Sequence, residues 1–257
     1  MLRTRALGEA DRIVILFSRD RGKIDAVARG ARKPQSSFGG RLEFFTRVEV
    51  MLHAGRSLDT ITSARIVSAI WERLVDPERF AAASYVAEVV DALCEPQMAV
   101  PELYEALCGF QESLAQASDL DALLAVMNLR ILVALGVSPE LDACARCGAV
   151  LGRRPLVGGR AWLSPQAGGL LCNACVRSIR EGSADVRSDL ISVSSGDLTR
   201  LRAWRDLPLA PWTDPAGLQK GNAAAVERAS RAFVEHQMGR RSRAKSPARI
   251  KAKVARR

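Results

Sequence analysis

Four of the six cysteines fall in two CxxC pairs, Cys144 with Cys147 and Cys172 with Cys175, and 24 residues separate the pairs. A CxxC turn aims two thiolates at one point. Two such turns facing each other supply the tetrahedral sulfur set that Zn²⁺ prefers, at about 2.3 Å. The separation is longer than the usual ribbon spacing of roughly 15–20 residues. The intervening segment still has the composition of a hairpin: Gly148, Gly158-Gly159 and Gly168-Gly169 punctuate it, and residues 160–163 and 170–171 can supply short strands. The pattern predicts a Cys₄ zinc ribbon over about residues 142–178, holding one Zn²⁺ per chain. Four cysteines leave no open position for water, so the metal reads as a structural cross-link and not a catalyst. The bland alternatives for the same residues are two structural disulfides or free thiols. Cys94 and Cys108 lie on apolar helical faces and read as core fillers.

Other chemistry has little to work with. The chain has two histidines, His53 and His236, and His53 sits where a strand gives way to a turn, so a Ser-His-Asp or Cys-His site is not expected. Gly22-Lys23 is followed by Ile24 and lacks the upstream glycine and the hydroxyl of a P-loop. Neither cysteine pair has the H-x-E partner of a zinc deaminase. The expectation is a protein without catalytic residues.

Charge points to a different task. The net +10 is segregated: residues 1–56 carry +6, residues 240–257 carry +9 with no acid, and the middle carries −5. Such a pattern suggests two regions that meet phosphates and a middle that does not. No run of about 18 uncharged apolar residues suggests a membrane span. The N-terminus has no secretory signature, and paired CxxC motifs fit a reduced cytosol, so a cytoplasmic protein without membrane contact is expected.

These residues need elements to hold them. From Arg12 to about Arg65 the chain reads as strands joined by turns. Residues 13–17 and 23–29 flank the polar connector 18–22, and residues 42–52 and 60–67 flank 53–57. Some sixty residues of consecutive short strands argue for a small barrel, of which the five-stranded OB-fold is the common choice. Between the hairpins runs a Gly-, Pro- and Ser-rich stretch, residues 28–40, which with Arg41 carries Arg29, Arg32, Lys33 and Phe38. It reads as a mobile basic loop. Lys and Arg track phosphates, and an exposed Phe38 would stack on an unpaired base, its bland alternative being a packing role.

After Val67 the period changes. Asp76-Pro77 opens a helix along which Phe80, Tyr85, Val86, Val89, Val90 and Leu93 recur at helical spacing. Pro101 opens a second helix and Asp119 a third, which Gly136 ends; three helices in sixty residues read as a bundle. Helical signals resume at 195–204 and 222–238, with Pro208, Pro211 and Pro215 keeping the segment between them irregular. The ribbon is thus an insertion in a helical domain. The expected fold class is α+β, with an OB-fold at 1–68, a helical domain with zinc ribbon at 69–239 and a disordered basic tail at 240–257. Arg240, Arg241, Arg243, Lys245, Arg249, Lys251, Lys253, Arg256 and Arg257 of that tail could contact DNA non-specifically, or merely solubilise the chain.

The run from Leu7-Gly-Glu-Ala-Asp-Arg-Ile-Val-Ile-Leu-Phe17 through Gly22-Lys-Ile-Asp-Ala-Val-Ala-Arg-Gly-Ala-Arg-Lys-Pro34, followed by Gly39-Gly40-Arg41-Leu42, closely resembles the opening of the bacterial RecO family of recombination and repair proteins. The later order of helices and cysteine pairs is similar, and the likeness covers roughly residues 5–238. It implies an OB-fold, a helical domain and a zinc site. It also implies binding of single- and double-stranded DNA, annealing of complementary strands, and action with RecR to help RecA load onto DNA coated by single-strand-binding protein, at the nucleoid and without ATP hydrolysis. On this chain the positions matching the family's DNA-binding face are Arg12, Arg19, Arg21, Lys23, Arg29, Arg32, Lys33 and Arg41. Two departures stand out: the first barrel strand, at Leu2-Arg-Thr-Arg5, is short, and the basic tail is an addition. A protein–protein adaptor in DNA repair with secondary DNA contact, and a zinc-dependent nucleic-acid enzyme, are the competing readings.

Overall fold

The computed structural model describes residues 1–151, 159–181, 190–209 and 223–244. The described residues form two compact units, one of residues 1–116 with residues 242–244, the other of residues from 117 to 241.

The first unit is built on five strands: β1 (Arg3–Leu7), β2 (Asp11–Ser18), β3 (Gly22–Ala28), β4 (Arg47–His53) and β5 (Asp59–Ser68), in the order β1-β2-β3-β5-β4. β1–β2, β2–β3 and β4–β5 are antiparallel, whereas β3 and β5 run parallel, pairing Ala26 with Asp59 and Val27 with Thr60. The strand period puts one face inward. β3 alternates buried Gly22, Ile24, Ala26 and Ala28 with half-buried neighbours, and Val14, Leu16, Phe38, Leu42 and Ile61 complete the interior. The two ends of the sheet meet through Met1, whose nitrogen donates to the Thr46 carbonyl (2.8 Å) and whose carbonyl accepts from the Phe45 amide (3.1 Å). The order 1-2-3-5-4 closing on itself is the OB-type barrel.

The tight Ser18–Gly22 turn depends on its glycine. Gly22 has φ +63°, and a Cβ there would lie 1.9 Å from the Met98 carbonyl oxygen. This is one reason the residues that follow the helix α1 (Pro77–Leu93) can lie against the barrel: the Gln97 amide donates to the Lys23 carbonyl at 2.9 Å. Asp76 caps α1 by accepting from the Glu78 amide, and Pro77 fills its first turn. The helix α2 (Pro101–Leu114) packs on β2. Its Phe110 meets Phe45 edge to face at 6.1 Å, and buried Gln111 donates to the Phe45 carbonyl at 2.7 Å.

The expected three-helix bundle is therefore not what forms. α1 and α2 belong to the barrel's unit, because the aromatic and amide side chains of α2 satisfy groups that the barrel leaves open. The third helix, α3 (Leu120–Ala134), begins the second unit. It is apolar almost all round, as a helix enclosed on every side must be.

Next come the strands β6 (Arg160–Ser164) and β7 (Gly169–Leu171), the helix α4 (Asn173–Glu181), and β8 (Ile191–Ser194), which completes a sheet ordered β7-β6-β8. The helices α5 (Ser195–Arg205) and α6 (Ala224–Gln237) close the unit by packing with α3. A full capping box, Ser194 with Asp197, turns β8 directly into α5. Buried Asn128 of α3 donates to Ser230 Oγ of α6 (3.1 Å), and Arg130 of α3 donates to the Leu209 carbonyl in the segment after α5 (2.7 Å). Pro208 lies in the segment after α5, while Pro211 and Pro215 fall outside the described residues.

Candidate nucleic-acid interface and metal centre

The basic stretch between β3 and β4 is a chain of consecutive turns. Lys33 donates its amide to Gly30, Ser36 to Lys33, Gly39 to Ser36 and Arg41 to Phe38, and a single 3₁₀ turn covers Gly39–Leu42. Asp11 Oδ1 accepts the Gly30 amide at 2.8 Å, the Ala10 carbonyl accepts the Arg32 amide at 2.9 Å, and the Gly8 carbonyl accepts the Arg32 guanidinium at 2.7 Å. The Gly-, Pro- and Ser-rich composition that reads as a mobile loop is thus spent on turns tied to the β1–β2 connection.

Phe38 is corrected by the same geometry. It is 5% exposed and packs inside the barrel with Leu42, so its ring is unavailable to a base. Its packing role, together with that of Leu42, pins the far end of the stretch.

The basic positions divide into two groups. Arg29, Arg32, Lys33 and Arg41 are exposed, and none of them forms an ion pair among the described residues. The other four have partners: Arg12 with Glu43 (3.5 Å), Arg19 with Glu105 (3.5 Å), Arg21 with Asp59 (2.8 Å) and Lys23 with Asp91 (3.8 Å). Lys23 is also largely buried and donates to the Asp91 backbone carbonyl at 2.6 Å. Phosphate must compete with a carboxylate at these four and with none at the first group.

In the tail, Arg240, Arg241 and Arg243 are exposed; Lys245, Arg249, Lys251, Lys253, Arg256 and Arg257 lie outside the described residues. The expectation of disorder from 240 onward does not fit its first residues. The Glu88 carboxylate gathers Ser242 Oγ (2.7 Å) and the amides of Arg243 and Ala244 (3.0 and 3.3 Å).

In the second unit the four cysteines converge as their spacing predicts. No disulfide joins any of the six cysteines in this structure. The sulfurs of Cys144, Cys147, Cys172 and Cys175 lie within 4.8 Å of one another, with Cys147 and Cys172 at 3.7 Å. A regular tetrahedron with metal–sulfur bonds of about 2.3 Å has edges of about 3.8 Å. The set is close to the dimensions that a zinc-sized ion requires.

The first pair is shaped by backbone bonds. Gly148 donates to Cys144 (2.8 Å), Cys144 to Ala149 (2.8 Å) and Ala145 to Leu170 (2.7 Å). Glu140 Oε1 accepts the amides of Ala143 (2.9 Å) and Asp142 (2.7 Å), and these bonds hold its carboxyl below the usual range. Gly169 permits this approach: a Cβ there would stand 2.1 Å from the Glu140 carbonyl oxygen. The second pair starts α4, whose Val176 and Ile179 pack with Leu171 beneath the cluster.

Amide donors also reach the sulfurs, from Cys172 to Cys144 (3.3 Å) and from Cys175 to Cys172 (3.4 Å). Burial raises the Cys144 thiol, but the amides of Cys172, Cys147 and Arg146 outweigh it and bring it to about 6. Burial and the other three sulfurs push Cys175 up to about 12. Without a cation the cluster favours few negative charges at once, which is the electrostatic demand that a bound dication meets.

Sequence reasoning missed an exposed aromatic patch on the first unit, formed by Phe44, Trp71 and Phe80 beside Gly40. Phe80 falls at the spacing of the apolar face of α1, yet it is 49% exposed. Its place in the first turn puts it beyond the packed part of that face. The second miss is a pocket of about 360 Å³ whose lining includes Leu16, Val48, Val50, Leu52, Tyr104 and Cys108. Half-buried Cys108 there hydrogen-bonds the Arg47 guanidinium, which raises the Arg47 pKa, so Cys108 is less a core filler than Cys94.

The first unit is thus an OB-type barrel whose turn-rich stretch carries exposed cations with no carboxylate partner among the described residues, and the second is a helical unit with a four-cysteine centre. Comparison with known proteins places these features in a family. The family model described as Recombination protein O N terminal matches residues 1–70, and that described as Recombination protein O C terminal matches residues 74–246. The chain is 35% identical over 246 residues to the DNA repair protein RecO of Anaeromyxobacter sp. (strain K), covering 94% of this chain and 90% of that protein. It is 36% identical over 240 residues to the DNA repair protein RecO of Rubrobacter xylanophilus, covering 91% and 88%. It is 38% identical over 178 residues to that of a Nocardioides species, covering 68% and 71%. The chain belongs to the RecO family. Among the described residues no helix is long and apolar enough to cross a membrane.

Proposed function

We propose that this chain is a DNA-binding recombination mediator, which anneals complementary single strands and, with RecR, helps RecA load onto DNA coated by single-strand-binding protein during repair at the nucleoid. The observation that carries the reading is the set of four exposed cations, Arg29, Arg32, Lys33 and Arg41, that have no carboxylate partner among the described residues on a RecO-family barrel. Two single strands repel through their phosphates. Cations that take up those charges and release counterions lower the repulsion, after which base pairing itself supplies the specificity. No covalent step and no nucleotide hydrolysis is needed. Arg12, Arg19, Arg21 and Lys23 serve mainly to hold the barrel and its helices together, while Arg240, Arg241 and Arg243 with the residues after them add a salt-sensitive, sequence-independent contact. Cys144, Cys147, Cys172 and Cys175 would hold one Zn²⁺, which cross-links the ribbon. By element type the chain divides into an OB-fold at 1–68, a helical segment with its ribbon at 69–239 and the basic tail from 240, although α1 and α2 of the helical segment pack in the barrel's compact unit.

The test is annealing of complementary oligonucleotides, one coated with single-strand-binding protein, across a salt series without ATP. The Arg32→Glu/Lys33→Glu chain should lose annealing and keep RecR binding. If the unaltered chain fails to anneal while RecR still binds, an adaptor role replaces this one.

A further inference from the structure

We infer that Phe44, Trp71 and Phe80 form a platform on which one unpaired nucleobase stacks, beside the cation strip. The inference deepens the DNA-binding reading and rests on it. Two of the three rings are open to solvent, Phe80 at 49% and Trp71 at 42%. Phe44 and Phe80 lie with ring centroids 5.6 Å apart, tilted at 56°. The indole is fixed by its own polar edge: Trp71 Nε1 donates to buried Thr46 Oγ1 at 2.8 Å. What Trp71 presents outward is therefore ring surface with no unmet hydrogen bond.

The rings, with Leu74 and Val75, border a hollow of about 350 Å³ with Gly40 on its edge. A Cβ at Gly40 would meet nothing within 4 Å, so the approach is open on that side. The occupant is argued from charge. Between the rim residues Gly40 and Glu43 the chain carries Arg41, an exposed guanidinium that donates to the Ser37 carbonyl (2.5 Å) and has no acidic partner among the described residues. The Glu43 carboxylate itself is matched by Arg12 at 3.5 Å. An aromatic hollow whose rim residue Gly40 is followed in the chain by a cation that no carboxylate neutralises among the described residues suits a ligand that is flat and apolar on one side and anionic on the other. A nucleotide of a single strand has that form, and every base offers a π-face, so the contact tolerates any sequence, as annealing requires.

The experiment measures binding of the full chain to a single-stranded thymidine oligonucleotide and to an abasic oligonucleotide of equal length. Phe80→Leu keeps apolar bulk at the start of α1 and removes the ring. It should weaken thymidine binding roughly tenfold, the size of one base–aromatic stack, and leave abasic binding and the salt dependence unchanged. Phe80→Trp should restore thymidine binding. Equal weakening on both oligonucleotides, or no change on either, overturns the platform. If Phe80→Leu instead loses RecR binding alone, the patch is a protein-docking face and the inference is likewise wrong. Should Arg32→Glu/Lys33→Glu abolish both interactions while Phe80→Leu changes neither, DNA binding stands and the platform falls by itself. If the unaltered chain binds neither oligonucleotide, both readings fall together.

Discussion

Replacing Arg32 and Lys33 with alanine should change how DNA affinity responds to salt, by an amount that the pairing pattern fixes. Each phosphate neutralised on a single strand contributes about −0.7 to the slope of log affinity against log salt. Arg29, Arg32, Lys33 and Arg41 carry no carboxylate partner among the described residues, so their joint share is about −2.8. From 50 to 200 mM salt that share alone lowers affinity about 50-fold. The double alanine variant keeps half of it, about −1.4, and loses about 7-fold over the same range. Contacts made elsewhere, including those of the tail, are common to both chains and cancel in the difference. Arg21→Ala is the control, because Arg21 is held by Asp59 at 2.8 Å and its removal should leave the slope nearly unchanged. The assay is fluorescence anisotropy of a labelled single strand at four or five salt concentrations. A slope that becomes shallower by the same amount in Arg21→Ala as in either loop single variant would refute the reasoning, since paired and unpaired cations would then count alike.

Phe38→Ala should cost about 3–5 kcal/mol in thermal or denaturant unfolding, as for a buried ring in a core, and any loss of DNA binding should follow the loss of fold. Burial pushes the Cys94 thiol up to about 11 from an ordinary 9.0. The folded chain therefore keeps a proton that the unfolded chain releases first, so this contribution to stability is full below pH 9 and declines as pH rises from 9 towards 11. Cys94→Ala should remove that decline in unfolding midpoints measured across the range. With the proposed Zn²⁺ held by the four cysteines, elemental analysis should find one zinc per chain, and Cys172→Ser should lower that towards none with the barrel's unfolding transition unaffected.

What the sequence disclosed follows from how local each signal is. The cysteine centre was legible because CxxC is a turn that shapes itself, and two such turns with apolar strands between them have few ways to meet. The barrel's strands were legible from alternation, which β3 displays from Gly22 to Ala28. The allegiance of α1 and α2 was not, since apolar periodicity says that a helix has a buried face and not what buries it. Only the contacts of Phe110 and Gln111 with Phe45 decide that. The cations were found as a group, but their division into paired and unpaired depends on Asp59, Asp91, Glu43 and Glu105, which are remote in sequence from most of their partners. Phe38 and Phe80 exchanged roles for a similar reason. The loop aromatic was drawn into the core by its 3₁₀ turn, and the helical one was left outside by its position in the first turn of α1.

The three bonds that Ser242, Arg243 and Ala244 make to Glu88 set an order on the protein's synthesis. The unit that holds the barrel is drawn from both ends of the chain, with the whole second unit emerging between them. As the ribosome releases the chain, the barrel and α1 can assemble before Ser242 and the residues after it, which lie more than 150 positions beyond Glu88, have been made. A nascent or truncated chain that lacks residues 242–244 would carry the same cations with these bonds to Glu88 unmade, so a contact supplied late in synthesis is completed on a helix made early.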